Sequence, residues 1–180
     1  MQFDLSDRET IFSSLPPGGI GAEIGVDFGE FSKVIRRNAK PRLFYLVDVW
    51  IEQSMAVCGH DPANYRQEIK DAAYRQVLGW FMTDEGMKVV KEFSEIAAPM
   101  FPDAYFDWAF IDANHLRCYE DIQSWWPKVK SGGWLMGHDY CTVGDYITVK
   151  KSVDRFVAET GLPLLTTDDE IYKCWIIQKP

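Results

Sequence analysis

The residues with the clearest chemical potential begin at Glu23-Ile24-Gly25-Val26-Asp27-Phe28-Gly29, two glycines four apart with an acid before and between them. Glycine accepts positive φ and lets backbone amides come close to a ligand. A helical pattern starts at Glu30, and the amide-rich start of a helix favours a carboxylate or other anion. Two glycines alone also suit any strand-to-helix turn. Asp48 follows Gly29 by nineteen residues, close to the spacing of about 20 at which an acid meets ribose hydroxyls in dinucleotide-binding folds. It serves equally as a strand-end acid capping the next segment. Val49 and Trp50 come next and suit an adenine face, with Trp50 equally suited to the core. Asp112 ends the apolar run Phe106-Asp107-Trp108-Ala109-Phe110-Ile111; an acid in that setting needs a cation, a metal or a hydrogen-bond donor. Asn114 can cap a following helix, and a lone histidine such as His115 is most often structural. The pair His138-Asp139 ends another apolar stretch. Asp112, His115, His138 and Asp139 can therefore surround one point, where they could move a proton or hold a cation.

Those residues need elements to position them, and the hydrophobic pattern supplies a regular alternation. Segments 20–26, 43–49, 87–93, 106–112 and 134–138 read as strands, with 87–93 the weakest. A short helix is expected at 8–14. From Glu30 to Arg37, Phe31, Val34 and Ile35 fall on one helical face. Helix 62–80 carries Tyr65, Ile69, Ala72, Ala73, Val77 and Trp80, and shorter helices are expected at 94–100 and 116–126. Pro127 with Gly132-Gly133 closes the last of these. Helix 147–159 uses Val149, Val153, Phe156 and Val157, and strands near 162–166 and 170–177 end the chain. Strict alternation of this kind indicates an α/β sheet of parallel strands covered on both faces. Ligands bind such sheets beyond the strands' carboxyl ends, where strand order reverses. Glu23, Asp48, Asp112 and His138-Asp139 all fall at such ends.

The totals fit one domain over residues 1–180, with 47% hydrophobic and 14% aromatic residues to build a core. No repeat, low-complexity tract or linker interrupts it. No apolar run reaches the roughly 20 residues of a membrane span, and the N-terminus lacks a basic-then-apolar signal layout; a cytoplasmic location with no membrane partner is expected. Cysteines 58, 118, 141 and 174 form no Cys-x-x-Cys pair and read as free thiols. The net charge of −8 argues against a nucleic-acid partner and leaves a small-molecule acceptor. An exposed apolar face on 62–80 would indicate a homodimer.

Four blocks taken in order resemble class I S-adenosylmethionine-dependent methyltransferases, closest to the small-molecule and sugar O-methyltransferase branch that includes macrocin O-methyltransferase relatives. The blocks are Gly21–Ser32, Leu46-Val47-Asp48-Val49-Trp50, Phe106–His115 and Gly132-Gly133-Trp134-Leu135-Met136-Gly137-His138-Asp139-Tyr140, within residues 19–160. The resemblance implies a Rossmann-like three-layer sandwich, a seven-stranded, mostly parallel sheet with an antiparallel last strand. It implies S-adenosylmethionine as cofactor. Glu23, Gly25, Asp27 and Gly29 would form the methionine end with Ser32 near it, Asp48 would hold the ribose beside Val49, and Ser94 and Glu95 would meet the adenine edge. Asp112 would border this cofactor set. Some relatives hold a divalent cation at places matched by Asp112 and Asp139, so Mg2+ or another divalent cation is admitted. His138 departs from the usual oxygen ligand there, and a histidine suits magnesium less well.

The reaction expected is in-line transfer of a methyl group to a hydroxyl of a small molecule or sugar. His115 or His138 would act as base, histidine titrating near neutral pH, or a cation at Asp112 and Asp139 would lower the hydroxyl pKa. Trp50, Trp80, Tyr140 and Tyr146 are aromatics available to an acceptor pocket, to which 51–82 and 139–147 would give shape. A nicotinamide-dependent oxidoreductase is disfavoured because the turn lacks Gly-x-Gly-x-x-Gly, the amide cradle of a pyrophosphate. A cofactor-binding or interaction module without catalysis is the other alternative.

Overall fold

In the computed structural model, which describes residues 2–59 and 63–180, the chain folds around one sheet. Its strands are β1 (Ile20–Ile24), β2 (Leu43–Asp48), β3 (Met87–Lys91), β4 (Phe106–Ile111), β5 (Val129–Tyr140), β6 (Leu164–Thr166) and β7 (Lys173–Gln178), in the order β3-β2-β1-β4-β5-β7-β6. Strands β1 to β5 pair in parallel, and β7 runs antiparallel between β5 and β6. This is the Rossmann-like, seven-stranded arrangement with a reversed last strand.

Alternation along each strand divides the core. Trp108 and Phe110 of β4 enter one apolar cluster and Ala109 and Ile111 the other, the two-residue period of extended chain. On the first face lie α1 (Thr10–Ser13), α2 (Glu30–Ala39) and α4 (Gln67–Phe81), through Phe12, Ile35, Ala73 and Val77. On the second lie α5 (Ser94–Ala97), α6 (Cys118–Trp125) and α7 (Ile147–Thr160), through Ala97, Ile122, Trp125 and Val153. Because both faces are covered, the central strands carry apolar residues at nearly every position. Among the described residues, no helix is long and apolar enough to cross a membrane.

Several elements differ from the sequence expectation. Strand β5 begins at Val129, so Gly132-Gly133 lie inside it and do not close a helix. A Cβ on Gly133 would stand 2.7 Å from the Asp107 carbonyl oxygen; the glycine permits a bulged strand to lie against β4, where the register shifts. Helix α4 starts at Gln67, and position 62 of the expected helix lies outside the described residues. It buries Lys70, Ala73, Val77 and Phe81, whereas Ile69 and Ala72 are exposed. Lys70 shares that buried face and lies 3.7 Å from Asp27. Ala73, Val77 and Phe81 are covered within the chain, while Ile69 and Leu78 remain exposed. The short helix α3 (Met55–Cys58) had no periodic signal.

Candidate active site

Strand order reverses between β1 and β4, since β2 lies on one side of β1 and β4, reached only after β3, lies on the other. A cleft of about 530 Å³ opens at the carboxyl ends of these strands, a volume in the range of small-molecule sites. At its floor, Gly25 has φ of +90°, and a Cβ there would lie 2.0 Å from the carbonyl oxygen of Asp112. Only glycine lets the turn pass so close to β4. The turn is tied on both sides: the Gly25 amide donates to Val47 and the Asp112 amide to Ile24.

Asp48 organises the same turn. Its Oδ2 accepts the amides of Val26 at 2.8 Å and Asp27 at 2.9 Å, and its Oδ1 accepts that of Trp50 at 2.9 Å. Trp50 is fully buried and donates its indole N–H to the Asp27 carbonyl, so it belongs to the core and not to a ligand face. Val49 lines the cleft with Asp27 and Gly29. Glu23 is buried and accepts the Ser32 hydroxyl; burial, reinforced by nearby Asp112, pushes its carboxyl up to about 8 against that hydrogen bond. Ser32 itself stands behind Glu23, away from the cleft surface.

At the far end, Ser94 and Glu95 line the cleft beside Asp121. Ser94 accepts the Trp125 indole N–H, and Glu95 pairs with Arg117 at 2.7 Å. Asp121 is buried, and burial pushes its carboxyl up to about 7, opposed by a hydrogen bond from Ser94.

The opposite wall brings together Asp112, His115, His138 and Asp139. His115 Nε2 lies 2.8 Å from Asp139 Oδ2, and His138 Nδ1 lies 3.0 Å from Asp139 Oδ1. Adjacent strand residues normally face opposite ways. Here the pairing with β7 shifts register between Gly137 and Tyr140, and Asp139 has φ of +59°. This bulge lets His138 and Asp139 serve one cleft, a use bulges often have beside active sites. Burial opposes the charge on Asp139, but hydrogen bonds from His115 and His138 outweigh it and hold the carboxyl well below the usual range. Asp112 is pushed the other way, chiefly by burial, with His138 opposing and Asp139 reinforcing. Asp112, His138 and Asp139 each offer one ligand atom, all within 4.8 Å of one another.

Of the aromatics considered for an acceptor pocket, Tyr146 lines the cleft, edge-on to His115 at 4.6 Å. Tyr140 turns away to Asp154, and Trp80 lies under Lys33. Sequence reasoning missed Arg8, Lys70, Asp121 and Val57, which also line the cleft. Arg8 lies in the turn before α1 and Lys70 on α4, and no spacing rule links them to the glycine turn.

The topology and the turn at the reversal point define a class I methyltransferase fold. A methyltransferase-domain family model matches residues 22–140, and the chain belongs to that family. No curated protein matches the chain by sequence. Among solved structures, the SAH-bound methyltransferase PaMTH1 of Podospora anserina superposes with a TM-score of 0.65 at 12% identity, over 90% of this chain and 72% of that one. The O-methyltransferase NovP gives 0.63 at 17% identity, over 96% and 76%. The SAH complex of the Streptococcus mutans protein SMU.1697c gives 0.62 at 12% identity, over 94% and 93%. At these identities the likeness is one of fold.

Proposed function

We propose that the chain binds S-adenosylmethionine in the cleft and transfers its methyl group to a hydroxyl of a small molecule or sugar. The observation that carries the catalytic part is Asp139, whose two oxygens engage His115 and His138 at 2.8 and 3.0 Å. The cofactor part is supported by the Gly25 turn, packed so closely on the Asp112 backbone that no Cβ would fit, and by Asp48, Ser94 and Glu95 along the same cleft. These suit a nucleoside with a short charged tail. Two of the structural neighbours were solved with SAH, and one is an O-methyltransferase.

When bound, S-adenosylmethionine supplies a methyl group already activated by a positively charged sulfur. The chain's own task is to orient the acceptor hydroxyl and take its proton. An ionised Asp139 accepts hydrogen bonds, so His138 donates from Nδ1 and presents Nε2 as the proton acceptor. His115, held by the other oxygen, fixes the carboxylate. Asp139 stabilises the imidazolium that forms, as a buried carboxylate does for a catalytic histidine.

A second reading rests on the three ligand atoms of Asp112, His138 and Asp139. A divalent cation held there would lower the hydroxyl pKa and orient the acceptor, and the mixed nitrogen and oxygen set suits a transition metal better than magnesium. Methyl transfer to a panel of phenols, catechols and sugars, with chelator and with added Mg2+, Mn2+ or Zn2+, tests both readings. Turnover unaffected by chelator supports the histidine base, and turnover that needs an added ion supports the second reading. SAH binding without turnover on any acceptor would favour a cofactor-binding module.

A further inference from the structure

We infer that Arg8 anchors the α-carboxylate of the cofactor and makes the cleft selective for S-adenosylmethionine over its decarboxylated form; this rests on the cofactor reading above. Besides Glu23, the cleft is lined by Asp27, Asp48, Asp112 and Asp139, and these make its field negative. A carboxylate entering it needs a fixed cation to offset that field. Three long cationic side chains line the cleft: Arg8, Lys70 and Arg117. Arg117 is engaged with Glu95 at 2.7 Å, at the end marked by Ser94. Lys70 lies 3.7 Å from Asp27, in contact with the outer limb of the turn.

Arg8 is placed and equipped differently. Its guanidinium stacks on the Phe31 ring at 3.6 Å, which sets it at the first turn of α2, directly after the glycine turn. Its closest carboxylate is Asp112, at 3.6 Å, an ion-pair distance beyond hydrogen-bond reach. Its Nε is buried with no hydrogen-bond partner among the described residues. Leaving a buried donor unpaired is costly, and a ligand carboxylate would satisfy it with the paired N–H geometry a guanidinium offers. Burial keeps Glu23 largely protonated at neutral pH, so Glu23 does not compete for the cation. The start of α2 favours an anion at the same place.

Calorimetric titration of SAH and of its decarboxylated analogue, S-adenosyl-3-thiopropylamine, tests the inference. The chain should bind SAH about tenfold or more tightly than the analogue. Arg8→Met keeps apolar contact with Phe31; it should weaken SAH by about tenfold or more and leave the analogue within about twofold, with Arg8→Lys between. Should Arg8→Met fail to fold in circular dichroism, Arg8→Lys and the wild-type preference still decide the matter. Equal wild-type affinity for the two ligands, or equal loss of both in the variants, would overturn the inference alone. Unchanged SAH binding with a raised KM for an anionic acceptor would overturn it in favour of an acceptor contact. Binding of neither ligand by the wild-type chain would overturn the cofactor reading as well.

Discussion

In the proposed reaction Asp139 is the central residue, because one carboxylate engages two histidines while its own backbone sits at φ of +59°. His138→Ala should lower kcat by about 10²–10⁴, the usual worth of a positioned base. His115→Ala should cost less, since it acts through Asp139. Steady-state rates on any accepted hydroxyl compound check both, and two variants as fast as wild type would remove histidine from the mechanism. Asp48 carries three backbone amides and borders the cleft. Asp48→Ala should weaken SAH binding about tenfold or more, with a loss of about 1.5–3 kcal/mol for each charge-assisted hydrogen bond removed. Calorimetry showing unchanged affinity would reject the ribose assignment.

The elements hold this site by close backbone approach. Gly25→Ala would put a methyl 2.0 Å from the Asp112 carbonyl oxygen at a positive φ, so β1 and β4 would have to part. The melting temperature should fall and SAH binding should be lost with it; a variant that melts and binds like wild type would contradict the geometry. Much of this level was legible in the sequence, because the two-residue period, the glycine turn and the acids at strand ends are local signals. What escaped it depended on neighbours. Gly132-Gly133 looks like a break, yet it is where β5 bulges against Asp107. The α4 pattern gave a face containing Ile69, but the buried face runs through Lys70, Ala73, Val77 and Phe81, with Lys70 beside Asp27. Alternation would also put His138 and Asp139 on opposite faces, and only the bulge opposite β7 unites them. Arg8 precedes β1 without any pattern of its own, and the packing of its segment on Phe31 brings it to the cleft.

Across the whole molecule, buried ionisable groups set how stability depends on pH. Glu23, raised to about 8, contributes stability that is full below its unfolded pKa and is lost as pH rises through about 8. Asp139, held below its ordinary range, acts in the opposite sense: its contribution is present above the unfolded pKa and lost as pH falls. Thermal melts should therefore show Glu23→Gln, which retains an acceptor for Ser32, losing less stability than wild type between about pH 4.5 and 8. Parallel melting curves would argue against a buried, protonated Glu23. The same sheet that buries these groups places the glycine turn, Asp48 and the Asp139 cluster around one cleft, and the central claim is that this cleft is a nucleoside-cofactor site for methyl transfer. Calorimetric titration of the chain with SAH and, separately, with NAD tests it most directly. Saturable one-to-one binding of SAH with no binding of NAD is the predicted result; binding of NAD alone, or of neither, would contradict it.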